Sequence, residues 1–203
     1  MNPLDAIVQQ LSPLDWLALL VFLVCWKVYG FVVDGSTRIS AKGLVSRTHR
    51  YRELWARELI NRSNRVSDTA LLGNLIHSVS FYANTTIYIM AGLLAVLGTL
   101  EQVMAVTSDL AFSKGMTKAE MELKLLLVLG VFIVAYFKFT WSLRQFNLLS
   151  ILVGAAPEST AKADYIESYI RRMAKVNSLA GDEFNRGIRA YYFAIASTAW
   201  MLH

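Results

Sequence analysis

Long apolar stretches alternate with polar connectors along this chain. The four apolar stretches are residues 14–33, 79–100, 123–142 and 188–203. Lysine and arginine occur in them only at Lys27, Lys124, Lys138 and Arg189. The hydrocarbon core of a bilayer is about 30 Å thick and needs about 20 helical residues, a length that the first three stretches have. The pattern therefore predicts four membrane-spanning helices.

The last apolar stretch is the shortest of the four. Its 16 residues would reach about 24 Å as a helix, which is short for a complete span. No polar residue follows His203 to anchor the far end of that helix. We therefore expect the fourth helix to continue past the end of this chain.

The basic residues are distributed unevenly among the connectors. Connector 34–78 contains eight lysines and arginines and connector 143–187 contains six, whereas connector 101–122 contains two and residues 1–13 contain none. Cytoplasmic loops of membrane proteins carry an excess of these residues. We therefore expect the N-terminus outside and both long connectors in the cytoplasm, with a bacterial inner membrane as the favoured location. The net charge of +5 is then a topology signal and does not indicate nucleic-acid binding.

Both long connectors have helical periodicity in their apolar residues. The pattern predicts helices over residues 44–67 and 159–180, with a break between Gly154 and Pro157. The second helix could lie along the bilayer surface or pack on the first, and its pattern allows both arrangements. We predict an all-α fold: a polytopic membrane bundle with four transmembrane helices and two helical cytoplasmic connectors. Residues 1–203 would form a single integral membrane domain.

Composition and motifs exclude several classes of protein. The chain has 203 residues, of which 55% are hydrophobic and 17% charged, whereas soluble domains average about 45–50% and 25%. Cys25 is the only cysteine, which excludes a disulfide scaffold. The sequence contains no zinc-protease, CxxC, nucleophile-elbow or P-loop spacing. We therefore expect no catalytic activity, no cofactor and no metal site.

A polar stripe runs along the second apolar stretch and the residues before it. Residues spaced by three and four positions share one helix face, with Ser80 beside them: Asn74, His77, Phe81, Asn84 and Tyr88. Polar groups at this depth should face other helices or water. Two interpretations stay open. These residues could form interhelical hydrogen bonds, which is their commoner role, or they could line a hydrated path for a solute.

Three basic residues lie near the predicted cytoplasmic ends of the spans: Lys27, Lys138 and Arg144. The two lysines could extend their ammonium groups to the bilayer surface as simple anchors. Alternatively, all three could form a cationic ring at the inner mouth of an anion-permeable path. Asp34 and Asp68 are the acids expected to neutralise them.

Three sequence blocks resemble those of a known family. They are RxxRxSDTALLxNLxxSVSFYANTT over 62–86, AYFKFTWSLRQFNLLSILVGAAP over 135–157 and FNRGIRAYYFAIA over 184–196. With these blocks the chain resembles the DUF599 family of uncharacterised integral membrane proteins, over nearly its full length. The resemblance implies a membrane architecture and a last span that extends beyond His203. It implies no binding residues and no mechanism.

Two functional hypotheses follow from these features. The first is a self-associating channel or transporter-like protein for small ions or solutes, because so small a bundle would need several copies to surround a path. The alternative is a non-catalytic accessory subunit of a larger membrane protein complex. The expected partners are the lipid bilayer and either a second copy or other membrane subunits, without nucleic acid.

Overall fold

A computed structural model of the protein describes residues 13–34, 44–107 and 117–199. The regular structure of these residues is entirely helical, which confirms the all-α class. The six described helices are α1 (Pro13–Asp34), α2 (Leu44–Asn61), α3 (Val66–Gly98), α4 (Leu100–Thr107), α5 (Lys118–Gly154) and α6 (Ala163–Thr198). Three of them, α1, α3 and α5, are long and apolar enough to cross a membrane.

Helix α6 combines two elements that the sequence pattern separates. The predicted cytoplasmic helix 159–180 and the described part of the predicted span 188–203 form one continuous helix. Within its described residues, the structure therefore has no separate helix for the predicted fourth span. Gly181 and Gly187 lie within α6 and serve as contact points: a Cβ at Gly181 would overlap the Arg52 guanidinium, and one at Gly187 would overlap the Phe139 ring.

The other connector boundaries agree with the sequence pattern in part. The predicted helix 44–67 ends at Asn61, and α3 begins at Val66, well before the predicted span 79–100. Helix α5 ends at Gly154, as the break before Pro157 predicts. Helix α3 has 33 residues, α5 has 37 and α6 has 36, so each is about 50–55 Å long. Each is therefore longer than the hydrocarbon core of a bilayer.

The core lies where α5 packs between α3 and α6. Its fully buried apolar side chains include Phe139, Leu149, Ile170 and Met173. Helix α2 packs against the first half of α6. The second connector therefore packs on the first, which is one of the two arrangements that the sequence allows.

Helix α1 lies at the edge of the bundle. Its Trp26 stacks on Phe193 of α6, with ring centroids 5.5 Å apart, and Phe22 packs edge-on against the same ring. Near the other end of α1, Asp15 lies 4.0 Å from Nζ of the buried Lys124 in α5. Most other apolar side chains of α1 remain exposed.

Candidate functional site

The predicted polar face of α3 points away from α5 and α6, although Asn74 lines an open pocket between α3 and α2. Helix α3 buries Leu72, Val79, Ala83 and Thr86. By contrast, Ser80 is partly exposed and the other predicted polar residues are exposed: Asn74, His77, Asn84 and Tyr88. The sequence pattern groups these residues on one face correctly, but that face is not the one that packs within the chain.

Thr86, within the predicted span 79–100, is a buried polar residue of α3. It is fully buried, and its hydroxyl lies 2.8 Å from the hydroxyl of Tyr191 in α6. Its Oγ1 also donates a hydrogen bond to the backbone oxygen of Tyr82 at 2.6 Å. Thr86 therefore belongs to the contact between α3 and α6 and not to the outward polar face.

An aromatic cluster holds α3, α5 and α6 together beside these polar groups. The Tyr82 ring stacks on Phe139 with centroids 5.6 Å apart, and Phe139 also contacts Phe184 and Tyr191. Phe139 fits against the bare backbone of Gly187. This close approach fixes α5 against α6 next to Lys138, the neighbour of Phe139 in sequence.

Two of the three predicted cations, Lys138 and Arg144, line one open pocket of about 480 Å³. Four other residues complete the lining: Phe137, Thr140, Trp141 and Glu183. Arg144 lies over the Trp141 ring, with its Cζ atom 5.8 Å from the ring centroid, in a cation–π arrangement. Lys27 is exposed on α1 and is not one of the lining residues.

Glu183 provides the negative charge of this pocket. Nζ of Lys138 lies 2.9 Å from Oε2 of Glu183, and Arg186 donates a hydrogen bond to Oε1. The Glu183 side chain is only 11% exposed, and a carboxylate this buried needs such partners. The sequence analysis missed Glu183, although its spacing from Arg186 is typical of an ion pair within a helix.

Of the two acids expected to neutralise these cations, Asp68 is bonded to other residues. The Asp34 side chain lies outside the described residues. Asp68 is fully buried elsewhere, and its Oδ1 accepts hydrogen bonds from Trp55 Nε1 at 2.7 Å and Arg62 at 2.5 Å. Asp68 therefore joins α2 to the start of α3.

Other charged residues of the connectors join helices at the same end of the bundle. Arg65 donates hydrogen bonds at 2.9 Å to the backbone oxygens of Ala156 and Pro157, just after α5. Arg57 of α2 donates two to Glu167 of α6, at 2.9 and 3.2 Å. These bonds lower the pKa of the Glu167 carboxyl and raise the pKa of Arg57. The described residues contain no cluster of three His, Cys, Asp or Glu that could hold a metal ion.

The family model of DUF599, described as a protein of unknown function, matches residues 17–203. The chain belongs to the DUF599 family. Neither a curated protein nor a solved structure matches it. In this DUF599 chain, the three sequence blocks noted above lie mainly on α3, α5 and α6, the helices that form the common core. The pocket at Lys138 and the outward polar face of α3 lie on the same three helices.

Proposed function

We propose that this DUF599 protein is a self-associating, channel-like or transporter-like membrane protein for small ions or solutes. Copies would meet at the outward polar face of α3, defined by Asn74, His77, Ser80, Asn84 and Tyr88. The exposure of this face on the single chain is the observation that carries the proposal. The amide of Asn84 lies within the predicted span 79–100. Such a group is costly if it faces lipid, and a second copy or an aqueous path between copies would provide hydrogen-bonding partners.

The proposed topology has four spans, the fourth being the last third of α6. Helices α3 and α6 would run outward, and α1 and α5 would run inward. The concentration of lysine and arginine in connectors 34–78 and 143–187 supports a cytoplasmic position for both. The N-terminus would then lie outside, in the topology of a bacterial inner-membrane protein.

In this topology, the pocket of Lys138 and Arg144 would lie near the cytoplasmic surface. Glu183 and Lys138 offset each other's charge, whereas Arg144 is held by an aromatic ring. Arg144 would therefore provide the local positive potential that attracts an anion to the inner mouth. The positive charge of this pocket makes anions the first class of permeant species to test.

Flux measurements test the proposed transport. Purified protein in liposomes should conduct chloride, and Asn84→Leu and Arg144→Gln should each reduce the rate several-fold. Ile87→Leu, an exposed apolar change on the same helix, is the matched control and should leave the rate unchanged. Chloride flux that is the same in all three variants at equal protein density would contradict the proposal.

Cross-linking tests the proposed contact between copies. In a Cys25→Ser background, Asn84→Cys should form a disulfide-linked dimer in native membranes under mild oxidation. Ile195→Cys, at an exposed position of α6, is the control and should stay monomeric. Equal cross-linking at both positions would argue against a specific interface. Purification of single copies bound to other chains would instead favour the accessory-subunit hypothesis.

A further inference from the structure

A second open pocket contains a largely buried arginine among apolar side chains. It lies between α2 and α3, has a volume of about 440 Å³ and is closed on its inner side by Phe146 and Asn177. Arg52 lines it on the α2 side, and four residues line it on the α3 side: Leu71, Asn74, Leu75 and Ser78. We call it the Arg52 groove. Its volume is within the range of about 300–1,000 Å³ that is typical of small-ligand sites.

Arg52 makes few and long polar contacts for a guanidinium. Its side chain is 17% exposed, and its Nη1 atom donates one long hydrogen bond, of 3.5 Å, to the backbone oxygen of Ser178. The carboxylate of Asp182 lies 3.9 Å away and is already bonded to His49 at 2.9 Å. Burial lowers the pKa of Arg52, but a guanidinium stays charged in proteins. A guanidinium offers five N–H donors in a fork that matches phosphate oxygens.

The walls of the groove indicate that a ligand bound there would have an apolar part beside its anionic group. Leu71 is 54% exposed and Leu75 is 43% exposed, so the groove presents apolar surface beside its buried cation. Both leucines come shortly before the apolar stretch of α3 that begins at Val79. In the proposed topology, Leu71 and Leu75 would lie at the depth of the lipid headgroups in the cytoplasmic leaflet. A free phosphate ion would use Arg52 but would gain nothing from the apolar walls.

We propose that the Arg52 groove binds an anionic phospholipid of the cytoplasmic leaflet. The phosphate would bond to Arg52 and to the buried amide of Asn177. The first carbons of an acyl chain would lie against Leu71 and Leu75. The leaflet assignment rests on the proposed topology, whereas the ligand class rests on the groove itself.

Native mass spectrometry of the full chain in neutral detergent tests this site. The probes are dilauroyl phosphatidylglycerol, which is anionic, and dilauroyl phosphatidylcholine, which is zwitterionic. The wild-type protein should retain the anionic lipid preferentially. Arg52→Gln should weaken its retention about tenfold, because charge-assisted hydrogen bonds to phosphate are lost. Arg50→Gln, on an exposed position of the same helix, is the matched control and should retain the lipid as the wild type does.

A second variant distinguishes ligand binding in the groove from the structural contacts of Arg52. Ser78→Trp would fill the groove without changing Arg52, and it should also abolish the preference for anionic lipid while thermal unfolding stays cooperative. Equal lipid retention by Arg52→Gln and Arg50→Gln, or wild-type retention by Ser78→Trp, would overturn the proposal. Full displacement of the lipid by millimolar inorganic phosphate would also overturn it, since the apolar walls would then contribute nothing. None of these readouts depends on flux, so the proposed transport can fail independently.

Discussion

The ammonium group of Lys138 lies 2.9 Å from Oε2 of Glu183, which joins α5 to α6 by an ion pair at the side of the aromatic cluster. Arg186 binds the other oxygen of the same carboxylate. One acid thus serves two cations. This arrangement explains how a lysine is accommodated at the end of an apolar stretch.

Replacement of Glu183 should therefore destabilise the bundle. Glu183→Gln leaves Lys138 and Arg186 without their shared carboxylate, and we expect a loss of about 2 kcal/mol in the free energy of unfolding. Unfolding in mixed micelles with increasing denaturant measures this loss. Glu158→Gln, at an exposed position, should cost less than about 0.5 kcal/mol. Equal effects of the two substitutions would show that the ion pair contributes no stability.

Asp68 should be important for the attachment of α2 to α3. Asp68→Asn keeps the shape of the side chain but removes the charge that Arg62 binds, and the new amide group can present a donor to Trp55. We expect a loss of about 2 kcal/mol in unfolding free energy. A red shift of Trp55 fluorescence should accompany it, measured with the other four tryptophans replaced by Phe. Asp164→Asn is the exposed control, and a similar loss there would contradict this prediction.

Gly187 should be intolerant of a methyl group. A Cβ at this position would overlap the Phe139 ring, so Gly187→Ala should destabilise the protein by about 1–3 kcal/mol through overpacking. Gly92→Ala is the matched control, because a Cβ there meets no atom within 4 Å. That change should be neutral or stabilising, since alanine favours helix. Thermal unfolding in detergent measures both, and a tolerated Gly187→Ala would show that α5 and α6 are not packed this closely.

The hydroxyl of Tyr191 should contribute to the contact between α3 and α6. Tyr191→Phe removes its 2.8 Å interaction with Thr86, and we expect a loss of about 0.6–2 kcal/mol, the range for interhelical hydrogen bonds in membranes. The next residue provides the control, because Tyr192 is 65% exposed. Tyr192→Phe should leave the unfolding free energy unchanged. A smaller loss for Tyr191→Phe than for Tyr192→Phe would be incompatible with the described packing.

The Arg57–Glu167 pair should make stability depend on pH in the acidic range. Because the pKa of Glu167 is lower in the folded protein than in the unfolded chain, the unfolded chain takes up a proton first as the pH falls. The stabilisation is therefore present above the unfolded pKa of about 4.3 and is lost as the pH falls through the folded value. Glu167→Gln should show a flatter pH dependence of unfolding below about pH 4.3. An unchanged profile would mean that the pair does not persist in solution.

Local composition was sufficient to predict the class of this protein. The lengths of the apolar stretches identify α1, α3 and α5 as candidate spans, and the Gly154–Pro157 break marks the end of α5. Helical periodicity also grouped Asn74, His77, Asn84 and Tyr88 correctly on one face of α3. These features depend only on residues near each other in sequence. The four-span topology and its orientation remain predictions.

Contacts between distant residues were decided only by the tertiary structure. Periodicity establishes which residues of α3 share a face, but it does not determine which face meets α5 and α6. Glu183 neutralises Lys138 across 45 residues of sequence, because the aromatic cluster sets the register of the two helices. Gly181 and Gly187 are contact points of α6, because Arg52 and Phe139 occupy the space that a side chain at these positions would fill. Sequence alone therefore determined an all-helical chain of long apolar helices. Packing decided which polar groups are buried against a bonding partner and which face outward.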